Sequence, residues 1–558
     1  MIPMLARTTA LVLISAAAFA EPGRPPAGAL QCPQRLVEGI GTRVKDALGD
    51  GTRSINTRID GITCTSLQVV NGAHGRYHEL RGTISGIGWG GLVSFSGDPF
   101  APTTRALGHY RYDGLSWVLR WPDAYAGDLV IYNHGADGTS LQSFMEALLG
   151  PANPYRHEED EGLVAVAEGV VQDRFGAAYF AVNTDAMRAD GTFAASYSAE
   201  VDASAVAVDG TPVLGMSTTG PFDAAIGRDV AVLGKRLAEW AIGRGVRSTL
   251  GVGSSGGSNR LASIAAGSAS LPIACEGESC SRSIAVRAGD NHTEAYAPCS
   301  GRIYDGFLLI GYAALGAPVA GPTYRPTAPL VLLRGQADDF YGDEMDLTAA
   351  LLDRGVDVNR WLRIVHVGNM GHYSSDMSKP SEAISNLFGS PTQGDQLRPL
   401  ITGLLGRLRD HARDGRPLPG SLFDPAPAAV PVPLDPAIDS INPLLTFFGI
   451  DRPVDAARKA NWDRVVRSVR HEPGHLVLPE SACRVGGFMT DFSAALLMPF
   501  PLGPETRTPA QIWGSLSRWQ KCVRETVEDL SERGYYDRRL GLETQDDPSV
   551  AALFQPVY

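Results

Sequence analysis

Apolar and polar positions first alternate clearly from about residue 77, over His78–Gly86 (HELRGTISG), Leu92–Gly97 (LVSFSG) and His109–Pro122 (HYRYDGLSWVLRWP). This period of two predicts early, partly antiparallel strands. The pattern then changes to short apolar runs: Leu129–Tyr132, Ala177–Val182, Ser248–Val252, Phe307–Ile310, Pro329–Leu333 and Trp361–Val367. Runs of this length without alternation predict strands buried on both faces, as in a parallel sheet. Between the second and third runs, Val230, Leu233, Leu237 and Trp240 recur at helical spacing and predict a helix over Asp229–Arg244. Ser258–Ala266, Glu344–Asp353 and Gln396–Arg413 read as further crossover helices. Strands alternating with helices predict an α/β fold with a doubly wound, mostly parallel sheet.

Two stretches interrupt this alternation, 184–227 and 270–302, both too long for ordinary crossover loops. They are candidate lids or walls over a site. Residues 21–76 form an N-terminal segment whose polar, turn-rich character predicts packing on the outside. A Pro-rich stretch over 416–439 predicts a stiff linker or wrapping segment, and 440–558 a C-terminal extension. The main unit is then 77–415.

The chain has 558 residues, 44% hydrophobic and 20% charged, which is the composition of a folded globular protein. Its net charge of −12 argues against nucleic acid as a partner, because a phosphate backbone requires a basic face. At the N-terminus, Arg7 precedes the apolar run Leu11–Ala20, which ends Ala18-Phe19-Ala20 before Glu21-Pro22-Gly23. This is the pattern of a cleaved signal peptide over 1–20, predicting a secreted or periplasmic protein. The run is shorter than the ~20 apolar residues of a spanning helix, and no other stretch approaches that length.

Export places the seven cysteines in an oxidising compartment. Their clustering predicts bridges between Cys32 and Cys64, between Cys483 and Cys522, and between two of Cys275, Cys280 and Cys299. One thiol is left over. No pair has the CxxC spacing of a zinc site with a matching second pair.

The strongest chemical signal is Gly251-Val-Gly-Ser-Ser-Gly-Gly257, between a strand run and a helix. It contains Gly-x-Ser-x-Gly as Gly253, Ser255 and Gly257. A serine on a sharp strand-to-helix turn holds its hydroxyl above the sheet edge, and the residues two before and two after must be small because they nearly touch. That rule selects Ser255 over Ser254, which would put Val252 at a position reserved for a small residue.

Three further parts stand in the order this arrangement needs. Asn133-His134-Gly135-Ala136 follows an earlier strand run, where Gly135 or Ala136 can offer an N–H to an oxyanion alongside that of Gly256. The run ending in Gly335 is followed by Asp338, with Asp339 as a rival, as the acid that orients a histidine. The last run is followed by Gly371-His372, with His372 as general base; His366, inside the run, reads as a core or surface residue instead.

On GVGSSGG, the NHG turn, GQADD and GNMGH, residues of about 80 to 415 resemble the α/β-hydrolase superfamily, in its secreted bacterial esterase branches. The resemblance implies a serine nucleophile, an acyl-enzyme intermediate, an ester substrate of small or oligomeric size and no metal or other cofactor. In size the chain is similar to tannase, feruloyl esterase and polyester-oligomer hydrolase types. The tannase elbow Gly-Cys-Ser-x-Gly-Gly is not present, since residues 252–254 differ. A peptidase or amidase on the same triad and a non-catalytic binding module on the same fold are the alternatives.

His471-Glu472-Pro473-Gly474-His475 has the letters of a helical zinc motif. Pro473 and Gly474 oppose the helix that would align its imidazoles, so a surface turn is expected. Asn291-His292-Thr293 is a glycosylation sequon by letter.

Overall fold

The structure is a computed structural model. It describes residues 31–45, 54–72, 75–95, 102–133, 170–182, 195–196, 215–217, 221–254, 257–258, 261–262, 273–275, 280–281, 303–311, 328–335, 343–368, 394–425, 456–483, 488–491, 500–504, 509–546, 551–552 and 554. The leader, the sequon and Cys299 lie outside the described residues.

The strands of the main sheet are β1 (Ile40–Lys45), β2 (Ser54–Gly72), β3 (Gly75–Phe95), β4 (Pro102–Trp121), β5 (Asp128–Asn133), β6 (Ala178–Val182), β7 (Ala195–Ser196), β8 (Gly215–Ser217), β9 (Ser248–Ser254), β10 (Ile273–Cys275), β11 (Cys280–Ser281), β12 (Gly306–Ile310), β13 (Leu330–Gly335), β14 (Leu362–Val367), β15 (Ser421–Leu422) and β16 (His471–Glu472). Their order is β11-β10-β1-β2-β3-β4-β6-β5-β9-β12-β13-β14-β15-β16, with β7 on β4 and β8 on β3. From β6 to β16 every neighbouring pair is parallel, and β4 joins this half antiparallel to β6. This is an α/β fold with a mixed sheet, whose half from β6 to β16 is parallel and doubly wound.

The parallel strands form because both their faces are covered. Leu129, Ile131, Phe180, Leu309, Leu332 and Ile364 belong to one buried cluster, with Leu233 and Leu237 of α2 (Pro221–Ile242). Val130, Tyr132, Tyr179, Val252, Leu308, Leu333 and Val365 belong to the cluster on the opposite face. There they meet Leu404 and Leu408 of a helix over Gly394–Asp414. Successive residues of β5 thus enter opposite clusters, which is why the sequence shows runs and not alternation. α1 (Val170–Phe175) precedes β6, and α3 (Asp343–Asp353) lies between β13 and β14. The helix over Gly394–Asp414 is α4.

Residues 21–75 differ from the expectation of an outer, turn-rich segment: they carry β1 and the 19-residue β2 inside the main sheet. The pairing of β2 with β3 shifts register between Ile59 and Gly61 and again between Cys64 and Ser66. Each bulge adds one residue and inverts the in–out phase, so no continuous alternation marks the strand in the sequence. The Cys32–Cys64 bridge ties the preceding segment to β2 as expected. Glu79 on β3 is buried between Arg81 and Arg120, whose Nε atoms each donate to it at 2.8 Å. Burial raises the pKa of this carboxyl, but the two guanidinium groups and the Gln68 amide outweigh it and hold the value at about 2.

The described parts of the two interrupting stretches add strands. Within 270–302, β10 pairs with β1 at the far edge of the sheet and places Cys275 opposite Cys280 on β11. Within 184–227, β7 and β8 pair onto β4 and β3.

The C-terminal residues also join the sheet. Leu422 of β15, from the Pro-rich stretch, pairs with Val365 of β14, and β16 continues beyond it. α5 (Ala456–Ser468) places Trp462 and Val465 in the first cluster. After α6 (Pro479–Ala482) comes α7 (Leu516–Glu532), whose Trp519, Val523, Val527 and Leu530 are buried in the second cluster. Their spacing keeps one face inward, and Ser515 caps the helix by accepting from the Arg518 N–H at 3.3 Å. The expected Cys483–Cys522 bridge joins α6 to α7, and the Trp519 indole donates to the Cys483 carbonyl at 2.8 Å. Among the described residues, no helix is long and apolar enough to cross a membrane.

Candidate active site

β5, β9, β12, β13 and β14 are neighbours and run parallel, so their C-terminal ends share one edge of the sheet. In open α/β sheets, that edge is where sites are built, because the loops that leave it converge. Gly135, Ala136, Ser255, Gly256, Asp338, Asp339 and His372 themselves lie outside the described residues. The strand ends that lead into each of them are described.

β9 ends at Ser254, and the backbone is already helical at Gly257 and Ser258. The turn between them is tight: a Cβ on Gly253 would stand 2.6 Å from the Gly257 carbonyl oxygen and 2.7 Å from the Ser258 nitrogen. At such distances a side chain at 253 fits only if the backbone shifts, which is the close approach expected of residues two before and two after an elbow serine. Ser258 fixes the turn. Its hydroxyl is fully buried and lies 2.8 Å from both the Gly253 and Ile310 carbonyl oxygens, so it ties the start of the helix to β9 and β12.

Next to the turn, Asn133 closes β5 directly opposite Gly253. The chain toward the predicted oxyanion segment therefore leaves β5 beside Gly253. Asn133 is itself buried, and among the described residues neither atom of its carboxamide finds a hydrogen-bond partner. On the other side, β12 separates β9 from β13, whose last residue is Gly335. β14 follows and ends at Val367.

Sequence reasoning missed a buried ionic cluster below these two ends. Arg334 and His366 are opposite one another on β13 and β14. Arg334 pairs with Glu344 of α3 through Nη1 and Oε2, and His366 Nε2 lies 3.4 Å from Glu344 Oε1. Their side chains are only 1%, 0% and 0% exposed. A signal existed: Arg334 and His366 break the apolar parity of Leu330, Leu332 and of Leu362, Ile364 at the last inward position of each strand.

His366 sits among aromatic rings, with centroids 6.0 Å from Phe423, 6.2 Å from Trp462 and 5.7 Å from His475. It is a core residue, as its place inside the strand run suggested. The His471–His475 segment is not helical: β16 is followed by a turn in which Gly474 adopts φ +108°. His471 stacks on Phe423 at 4.0 Å, while His475 Nδ1 lies 3.1 Å from Asp424 Oδ2. The two imidazoles have separate partners. Among the described residues, no group of three or more His, Cys, Asp or Glu could hold a metal ion.

No protein-family model matches the chain, and no curated protein matches it. Solved structures do. Esterase B of Lactobacillus rhamnosis, inhibited by a tributyrin phosphonate, is 13% identical and covers 59% of this chain and 89% of its own, with a TM-score of 0.25. A dienelactone hydrolase-like promiscuous phosphotriesterase from metagenomic libraries is 12% identical, covers 58% and 98%, and scores 0.28. Carboxyl esterase 2 of the fungus Tuber melanosporum is 12% identical, covers 61% and 86%, and scores 0.26. Likenesses this distant do not bear on activity.

Proposed function

We propose that the chain is an exported serine hydrolase that cleaves carboxylic esters, with Ser255 as nucleophile, His372 as general base and Asp338 as the supporting acid. The observation that carries this reading is the pinch between Gly253, near the end of a parallel strand, and the Gly257–Ser258 backbone at the start of a helix. A sharp turn from strand to helix supports Ser255, which the sequence puts midway between Gly253 and Gly257, as the nucleophile.

The chemistry is two-step acyl transfer. His372 accepts the Ser255 proton as the serine oxygen attacks the ester carbonyl. The resulting oxyanion is held by the N–H of Gly256 and that of Gly135 or Ala136. Collapse breaks the ester C–O bond, and the departing alcohol takes its proton from His372. Water then attacks the acyl-enzyme with His372 as base, and the acid leaves as Ser255 regains its proton. Asp338 keeps the imidazole in the required tautomer and stabilises its charged form; Asp339 is the alternative for this role. The reaction needs no cofactor. The substrate is a small or oligomeric ester, and the leader over 1–20 directs the enzyme to the periplasm or the exterior.

The test is hydrolysis of a panel of p-nitrophenyl esters and anilides by the mature protein and by Ser255→Ala. Ester cleavage that falls on the order of a million-fold in kcat with Ser255→Ala supports the proposal. Ester turnover that survives the substitution refutes it, and turnover of the anilides alone would make the enzyme an amidase.

A further inference from the structure

Three ionisable side chains buried in an apolar core need a reason, since replacing such a cluster by well-packed hydrophobic residues is often neutral or stabilising. Arg334, Glu344 and His366 occupy the final inward positions below the ends of β13 and β14. In the sequence Asp338 follows Arg334 by four residues, and His372 follows His366 by six. One carboxylate, Glu344, thus contacts both strands just before the acid and the base of the proposed triad leave them.

The C-terminal region reaches the same point. The Leu476 N–H donates to the His366 carbonyl at 2.7 Å, and the Leu476 carbonyl accepts from the Gly368 N–H at 2.9 Å. These two bonds bracket Val367 and hold the end of β14, the last described element before His372 in the sequence. The neighbouring His475 lies beside His366 and is held by Asp424.

We infer that the Arg334–Glu344–His366 cluster, together with the Leu476 backbone clamp, is a positioning device that sets the acid loop against the base loop. The inference rests on the triad reading above. It assigns the C-terminal region a part in catalysis: without it, the end of β14 loses both the clamp and the rings around His366. The three side chains are buried and take no part in the acyl-transfer steps proposed above. Their effect falls on the alignment of acid, base and nucleophile, so it appears in kcat and not in KM.

The experiment uses the full mature chain and p-nitrophenyl acetate, with kcat, KM and thermal melting measured for each variant. Glu344→Gln is expected to lower kcat 10-fold or more with KM within twofold. The deciding variant is Arg334→Met/Glu344→Leu/His366→Phe, which removes every charge of the cluster. A cooperative melt at or above the wild-type temperature, with kcat still 10-fold or more below wild type, supports positioning. Recovery of kcat along with stability overturns it, because the cluster would then be a structural feature only. Should either variant fail to melt cooperatively, Asp424→Asn, at a partly exposed carboxylate, perturbs the device through His475. A fall in kcat of threefold or more at unchanged KM is expected there, and unchanged kcat overturns the inference. If the wild-type protein itself neither hydrolyses the ester nor reacts with a fluorophosphonate at Ser255, the triad reading fails first and takes the inference with it.

Discussion

Gly253→Ala perturbs the step from β9 to the following helix at its narrowest point. The added methyl would stand 2.6 Å from the Gly257 carbonyl oxygen, whereas ordinary contact begins at 3.4 Å, so the turn must open by 3.4 − 2.6, or 0.8 Å. Neither neighbour is a flexible side chain that can swing away; both are backbone. Overpacking of this kind costs about 1–3 kcal/mol of stability. A displacement approaching 1 Å of a nucleophile costs on the order of 100-fold in rate. Gly253→Ala should therefore melt cooperatively at a lower denaturant midpoint and lose about two orders of magnitude in kcat/KM toward a p-nitrophenyl ester. Urea melts and steady-state kinetics on the same preparation separate the two effects. Activity within twofold of wild type would refute the reasoning, because the turn would then tolerate what its geometry forbids.

Ser258→Ala removes the hydroxyl shared by the Gly253 and Ile310 carbonyls. It should cost about 1–3 kcal/mol and slow modification of Ser255 by a fluorophosphonate, measured as a labelling rate. Asn133→Val replaces a buried carboxamide that has no hydrogen-bond partner among the described residues, so thermal stability should rise by about 1–3 kcal/mol; an unchanged or lower melting point counts against the assignment. Glu79 is held at about 2, below the ordinary glutamate value of 4.5. Its folded pKa is depressed, so it contributes about 3 kcal/mol above pH ~5, a contribution lost as pH falls toward ~2. Glu79→Gln should flatten urea stability across that window, and an unaltered pH profile would remove the carboxylate from the account. Breaking the Cys483–Cys522 bridge, which spans 39 residues, with the double serine variant should cost about 4 kcal/mol by chain entropy, read as a shift in the urea midpoint.

The parallel half of the sheet was legible in the sequence because its strands are buried on both faces, and apolar runs such as Leu129–Tyr132 survive as runs. β2 was not, because two bulges invert its phase at Asp60 and Thr65. β15 and β16 were also invisible. Two residues each are too few for any period, and they are strands only because β14 offers them an edge. The close approach of Gly253 to the Gly257–Ser258 backbone could be predicted because its requirement is local: small residues on both sides of one serine. The ionic cluster could not be assembled from sequence, since Arg334, Glu344 and His366 meet only through register and helix packing. The phase break at the ends of β13 and β14 was its one linear trace. The same holds for the C-terminal region, whose role at β14 is carried by two backbone hydrogen bonds that no side-chain pattern encodes.

The central claim is that Ser255 is an activated nucleophile. Its most direct test is incubation of the purified mature protein with a fluorophosphonate, followed by peptide mass mapping, alongside His372→Ala. The account predicts a single adduct on Ser255 in the wild-type protein and none in His372→Ala. An adduct elsewhere, or no adduct on a folded protein, would contradict it, and the chain would then read as a binding module on a hydrolase fold.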